Sequence, residues 1–279
     1  MGEAKELEGR IAVVTGSARG IGEQTVRKLS AAGAKVVVSD LDGDLAQSVA
    51  DSLPGDAAVH SGNLTAGGVC EQLVEAAVEA FGGIDILVNN AGYAWDAPLH
   101  KITDEQWEAM IAIHTTVPFR MLRAASPYLR EPAKADQAAG REVFRKVVTV
   151  TSLSGVMGNA GQVAYAAAKG GSVGLTKALA KEWGPLKINV NAIAFGAIET
   201  RLTAAIGTVG EIDLGDDRKL PIGIPEQARS AFHNFIPLGR PATAEEAARG
   251  VYYLCSPGSD YVHGQVLGVS GGLALGMTS

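Results

Sequence analysis

The chain has 279 residues, 47% hydrophobic and 19% charged, with a formal net charge of −6. That composition excludes a disordered chain, and the length suffices to bury a core without staples. No Lys/Arg cluster is present to neutralise phosphates, so a nucleic-acid partner is disfavoured. Cys70 and Cys255 lack metal-ligand spacing and read as buried thiols of a reducing setting, and no metal site is expected. Met1–Arg10 is polar and mixed in charge, unlike a signal peptide, and no apolar run approaches membrane-spanning length. The expectation is a cytoplasmic protein with no membrane partner.

In chain order, the Val- and Ile-rich run Ile11–Val14 reads as a first strand buried on both faces. It runs into Thr15-Gly16-Ser17-Ala18-Arg19-Gly20-Ile21-Gly22, which opens a helical pattern over Ile21–Ala32. Strands at Lys35–Ser39 and Ala57–His60 flank a helix at Asp44–Leu53. A helix at Thr65–Phe81 precedes the fourth strand, Ile84–Val88, which leads into Asn89-Asn90-Ala91-Gly92. One long helix is expected over Thr103–Leu129, then a surface insertion at Glu131–Lys146 whose charges are read as a solvated loop. The fifth strand, Val147–Val150, precedes Ser152, and the helix Val163–Trp183 carries Tyr165 and Lys169. A sixth strand, Ile188–Ile193, is followed by a Gly-, Asp- and Pro-containing stretch, Thr203–Phe235, read as a substrate lid. A helix at Ala244–Leu254 and a strand at Val266–Val269 complete the pattern. Strand–helix alternation of this kind implies right-handed crossovers. The expected fold is α/β: a Rossmann-type, doubly wound, seven-stranded parallel sheet with helices on both faces, one domain over residues 1–279.

The glycines after the first strand let the backbone turn tightly and approach a pyrophosphate, while the helix N-terminus offers free N–H groups and a favourable dipole. Their spacing is G-x-x-x-G-x-G rather than the commoner G-x-G-x-x-G. Asp40 stands about twenty residues beyond, at the end of the second strand, where a carboxylate can accept from the adenosine ribose hydroxyls. It would repel a 2′-phosphate by a few kcal/mol at an effective dielectric of ~20. Arg19 points the other way, since it could pair with that phosphate or simply stay solvated. Asp40 is given the greater weight, so NAD is expected ahead of NADP.

With these motifs in order, the chain resembles the short-chain dehydrogenase/reductase family from Leu7 to Leu273. Thr15–Gly22 matches the family's cofactor loop, Asn89–Gly92 its motif after the fourth strand, and Tyr165-Ala166-Ala167-Ala168-Lys169 its Tyr-x-x-x-Lys signature, with Ser152 thirteen residues before Tyr165. The resemblance implies cofactor contacts from Gly16, Arg19, Gly20, Ile21, Gly22, Asn63, Leu64, Asn90, Gly92, Tyr165, Lys169, Ile198 and Thr200. Asn63 stands where Asp is frequent, and Phe195-Gly196 replaces the usual Pro-Gly, which could reshape the wall beside the nicotinamide.

Hydride transfer at an alcohol carbon requires the hydroxyl proton to leave, and a tyrosine near its ordinary pKa of ~10 is a poor base. A nearby ammonium and the positive nicotinamide ring both favour phenolate. Four residues apart on a helix, Tyr165 and Lys169 share a face about 6 Å along the axis. Lys169 would act on Tyr165 and on the ribose, and Ser152 would hold the substrate oxygen. The family's usual Asn of a proton relay is here His114, which either sustains the relay, with a pH dependence of its own, or packs locally.

Within the family the overall pattern is most similar to 3-oxoacyl-(acyl-carrier-protein) reductases, which usually take NADPH, a preference that Asp40 opposes. The expected activity is NAD(H)-linked interconversion of a secondary alcohol and a ketone, 3-oxoacyl thioesters leading and sugars, steroids or other alcohols following. A catalytically impaired nucleotide-binding protein is the alternative. A homotetramer through the two long helices is implied.

Overall fold

The structure, a computed structural model, describes residues 5–205, 207, 210–213, 219–221, 223, 224, 226 and 234–273. Seven strands form one wholly parallel sheet: β1 (Ile11–Thr15), β2 (Lys35–Asp40), β3 (Ala57–Ser61), β4 (Ile86–Asn89), β5 (Arg145–Ser152), β6 (Ile188–Phe195) and β11 (Val266–Val269). Their spatial order is β11-β6-β5-β4-β1-β2-β3. β1 lies between β2 and β4, so successive connections diverge there and open a crevice beyond the carboxyl ends of the strands.

Side chains alternate across the sheet. Val13 and Leu87 face a core shared with α3 (Val69–Phe81), α4 (Asp104–Ile111), α5 (Val117–Ala138) and α7 (Val163–Trp183). Ala12, Val14, Ile86 and Val88 face the opposite core, shared with α1 (Gly20–Ala31), α2 (Gly43–Asp51) and α8 (Ala244–Cys255). Both cores are largely aliphatic, which is why the strands read as unbroken apolar runs. Cys70 and Cys255 are buried, unpaired thiols pushed up by burial to about 11 and about 12.

The long helix expected over Thr103–Leu129 is two helices joined by a π-helical turn, Ala112–Thr116. Pro118 has no N–H to give the carbonyl of His114, so the α-helical ladder breaks there, and Val117 N–H bonds Ala112 C=O instead.

The insertion expected at Glu131–Lys146 is corrected: α5 runs on to Ala138 through Pro127 and Pro132. It continues because Leu129, Ala133 and Asp136 face inward. Of the segment's charges, Glu131, Lys134, Arg141 and Glu142 are exposed as expected, but Asp136, Arg145 and Lys146 are buried. The buried Arg145 lies 2.9 Å from Asp136, and the buried Lys146 donates to Asn189 (2.9 Å) and Asp260 (2.6 Å). These pairs sit at the amino ends of the strands, away from the crevice.

The lid expected over Thr203–Phe235 lies partly outside the described residues. Its described part includes an antiparallel pair, β8 (Glu211–Asp213) with β9 (Lys219–Pro221). Two further short strands, β7 (Ile198–Glu199) and β10 (Ala242–Thr243), pair in parallel beside the sheet. Among the described residues no helix is long and apolar enough to cross a membrane.

Candidate active site

The residues singled out in sequence gather at the carboxyl ends of the strands. The glycine loop follows β1, Asp40 ends β2, Asn63 follows β3, Asn90 follows β4, Ser152 ends β5, and Ile198 opens β7 just after β6.

The loop is shaped for a ligand's close approach. Gly16 and Gly20 have φ of +63° and +54°, which L side chains adopt only with strain. A Cβ on Gly16 would stand 2.8 Å from Ala91 Cα, and one on Gly22 would stand 2.1 Å from the Gly16 carbonyl oxygen. The first turn of α1 has no side-chain cap, leaving its N–H groups to a ligand. A dinucleotide's diphosphate fits this cradle of bare backbone and free amides.

Thr15 and Ser17, assigned no role from sequence, and Asn90 hold the loop in place. Thr15 Oγ1 accepts from the N–H groups of Asn90 and Ala91, at 2.9 and 3.0 Å. Ser17 Oγ donates to Val14 C=O and accepts from Ser39 N–H. Asn90 Nδ2 donates to the carbonyls of Thr15 and Gly16, at 2.9 and 2.8 Å, so this side chain braces the loop itself.

Asp40 is held by the backbone on both oxygens: Oδ2 accepts from Ala18 N–H at 3.0 Å and Oδ1 from Leu41 N–H at 2.9 Å. Arg19 is exposed, as a solvated side chain would be, and is paired. Its guanidinium pairs with Asp42 at 2.5 Å, while the other Asp42 oxygen caps α2 by accepting from Leu45 N–H. Beyond β3, Asn63 Oδ1 accepts from the N–H and hydroxyl of Thr65, and Leu64 is buried beneath.

At the end of β5, Ser152 caps the short α6 (Leu153–Met157), its hydroxyl accepting from Ser154 N–H at 3.1 Å. The same hydroxyl stands close enough to the phenol of Tyr165 to lower its pKa. Burial pushes that phenol up to about 12, with Ser152 pulling down and the carboxylate of Asp96 adding to the rise. Lys169 is 4% exposed, and burial brings its ammonium down to about 7. Its Nζ donates to Val150 C=O at 2.7 Å and lies 5.7 Å from the centre of the Tyr165 ring. Desolvation is the largest influence on the phenol and keeps it protonated, and the expected lowering by Lys169 is not seen.

The backbone of Lys169 is anchored as well. Its carbonyl accepts from the hydroxyls of Thr151 and Ser172, and a Cβ on Gly155 would stand 2.6 Å from Lys169 Cβ. Gly155 is thus the point where α6 crosses α7 at backbone range.

His114 joins this group from the π-helical turn. Its Nε2 is 2.7 Å from Tyr93 C=O, and a carbonyl only accepts, so Nε2 carries the proton and Nδ1 is a bare acceptor. Nδ1 is buried and has no hydrogen-bond partner among the described residues. Burial first, then the charge of Lys169, holds the imidazole well below the usual histidine range. A pH dependence from His114 near neutrality is accordingly corrected: it is neutral there. Gly92 makes the room, since a Cβ on it would stand 2.3 Å from His114 Cε1.

Asp96, missed in sequence, stands at the rim. Gln162 Nε2 donates to it at 2.5 Å, while Gln162 Oε1 accepts from Ser154 and Asn159. This strap ties the loop after β4 to the start of α7. Phe195, by contrast, is buried in the core among residues such as Val150 and Ile198.

A family model described as Enoyl-(Acyl carrier protein) reductase matches residues 16–274. The chain is 35% identical over 272 residues to a 3-oxoacyl-[acyl-carrier-protein] reductase of Thermotoga maritima, covering 96% of this chain and 99% of that one. It is 36% identical over 267 residues to the enzyme of the same name from Escherichia coli, covering 96% and 98%. Among solved structures, a short-chain dehydrogenase/reductase titled glucose/ribitol dehydrogenase from Brucella melitensis superposes with a TM-score of 0.80 at 30% identity, covering 96% of this chain and 98% of the other.

Proposed function

We propose that this chain, which belongs to the short-chain dehydrogenase/reductase family, is an NAD(H)-dependent oxidoreductase that interconverts a secondary alcohol and a ketone, with 3-oxoacyl or 3-hydroxyacyl thioesters as the leading substrates. The observation that carries the reading is the grouping of Tyr165 and Lys169, Nζ 5.7 Å from the ring centre, with Ser152 at the end of β5 beside the phenol.

A bound nicotinamide supplies or takes the hydride. Ser152 holds the substrate oxygen by a hydrogen bond. In reduction, Tyr165 Oη gives that oxygen its proton, a task suited to a phenol kept protonated by burial. In oxidation the same oxygen takes the proton away, aided by Lys169 once it is charged. Lys169 also orients the cofactor ribose. The bare Nδ1 of His114 accepts a hydrogen bond from a water on the way from Lys169 to solvent, so the relay uses neutral imidazole as an acceptor and stores no charge there. Gly16, Gly20, Ile21 and Gly22 receive the diphosphate; Asn63 and Leu64 flank the adenine; Asn90 and Gly92 line the ribose side; Ile198 and Thr200 reach the carboxamide.

Two observations support NAD over NADP. The Asp40 carboxylate is fixed at the end of β2 by backbone amides, and the loop's own cation, Arg19, is tied to Asp42. A 2′-phosphate would meet the carboxylate before any free guanidinium of the loop.

The relatives' names span a 3-oxoacyl thioester and a glucose or ribitol substrate. A screen of NAD+ and NADP+ against hydroxyacyl thioesters, sugars, polyols and steroids therefore tests the reading. Turnover of a 3-hydroxyacyl thioester with NAD+ is expected; tight NADH binding with no turnover across the panel would instead support a nucleotide-binding protein.

A homotetramer built on α4–α5 and α7 is part of this proposal. Trp107 and Phe119, large apolar side chains on α4 and α5, are exposed in the single chain. Light scattering at four times the monomer mass is the expected result; a monomer mass would exclude it.

A further inference from the structure

Arg201 opens a short turn, Arg201–Thr203, directly after β7. Both ends of the turn are fixed. β7 pairs with β10, Thr200 N–H donates to Thr203 Oγ1 at 3.0 Å, and that hydroxyl donates back to Ile198 C=O at 2.5 Å. The turn leans over the glycine loop: the Thr200 methyl lies 3.7 Å from where a Cβ on Gly20 would stand.

This placement brings Arg201 into the field of Arg19, Asp40 and Asp42. Three of these four charges are already engaged. Arg19 and Asp42 hold each other, and Asp40 accepts from backbone amides. The Arg201 side chain has no hydrogen bond or ion pair with any described residue, although it is partly buried and stands near a second guanidinium. Partial burial and the neighbouring Arg19 oppose its charge, and the carboxylates of Asp40 and Asp42 offset them only in part. The uncapped start of α1, directly under the turn, is where an anion is best received.

We propose that Arg201 is a diphosphate-binding residue, its guanidinium closing on the phosphates of the dinucleotide from the side opposite the glycine-loop amides. The proposal rests on the dinucleotide reading of the site and adds to it a contact from the segment after β6. A planar guanidinium can hold phosphate oxygens in a two-pronged fashion, which backbone amides and a point charge cannot replace in full. The diphosphate is preferred over a 2′-phosphate because the turn meets the loop at Gly20, where α1 begins, rather than at the end of β2.

The test is calorimetric titration of wild type, Arg201→Gln and Arg201→Lys with NADH, with ADP, and with adenosine in competition against NADH. Arg201→Gln is expected to weaken NADH and ADP binding by about tenfold, with a shallower salt dependence and unaltered adenosine affinity. Arg201→Lys should recover part of the loss, and all three proteins should melt at similar temperatures. Unchanged ADP and NADH affinities in Arg201→Gln would overturn the proposal, as would an equal loss for adenosine. A wild type that binds neither NADH nor ADP would overturn the dinucleotide reading itself, a result distinct from either.

Discussion

The imidazole of His114 meets the ring of Tyr165 edge-on, with centroids 5.0 Å apart and planes at 85°. The buried, partnerless Nδ1 therefore lies in the wall of the site rather than in remote packing. Replacing His114 by Phe removes the acceptor while keeping a ring of similar shape. We expect kcat to fall by about 10–100-fold with NADH affinity within a few-fold of wild type, and His114→Asn, which retains an acceptor, to fall far less. Because the imidazole is held neutral, wild type and His114→Asn should give pH–rate profiles of the same shape between pH 7 and 9. A wild-type inflection absent from His114→Asn would contradict the neutral assignment, and full activity in His114→Phe would remove the relay.

Lys169 makes the ligand-free protein sensitive to pH. The unfolded lysine titrates at its ordinary 10.5, whereas burial holds the folded one at about 7. Between these values the unfolded state binds the extra proton, so this group makes stability rise with pH from about 7 to 10.5. The benefit is complete above 10.5 and is lost as pH falls through about 7. Lys169→Met should abolish this part of the slope and stabilise the protein most below pH 7. Parallel curves of unfolding free energy against pH for wild type and variant would show that the ammonium is not desolvated.

Much of this site is legible in the sequence, and the exceptions share a cause. Residues whose roles depend on local backbone order, such as Gly16, Gly20 and Tyr165 with Lys169 four residues on, can be read from spacing, because one turn of chain fixes their geometry. The seven strands are readable for the same reason, being continuous apolar runs. Glu131–Ala138 was obscured because Pro127 and Pro132 break local helix preference, and burial of Leu129, Ala133 and Asp136 overrides it. The π-helical turn at His114 has one local sign, Pro118. Asp96 and Arg201 had no local sign, since their neighbours lie on other elements: Asp96 meets Gln162 across 66 positions. The ionisation of Tyr165 and Lys169 was also out of reach, because it depends on how much water the fold removes from them.

Asp40 should govern both cofactor choice and loop order. Asp40→Ser removes the charge facing the 2′ position and also the acceptor for Ala18 N–H. The ratio of kcat/KM for NADP+ over NAD+ is expected to rise by at least about tenfold. Stability should fall by about 1–2 kcal/mol as the loop amide loses its partner. A wild type that prefers NADP+ would contradict the reading of Asp40 outright, and a variant with an unchanged ratio would move the discrimination to another residue.

The proton donor is the centre of the proposed chemistry, and removal of one oxygen atom examines it. Tyr165→Phe keeps the ring against His114 and leaves the glycine loop untouched. NADH affinity measured by fluorescence titration should stay within about threefold of wild type, while turnover of the best substrate from the screen falls by at least about 10²–10⁴-fold. A Tyr165→Phe protein that binds NADH and still turns over at a rate near that of wild type would contradict the assignment of Tyr165 as the acid and base of the reaction.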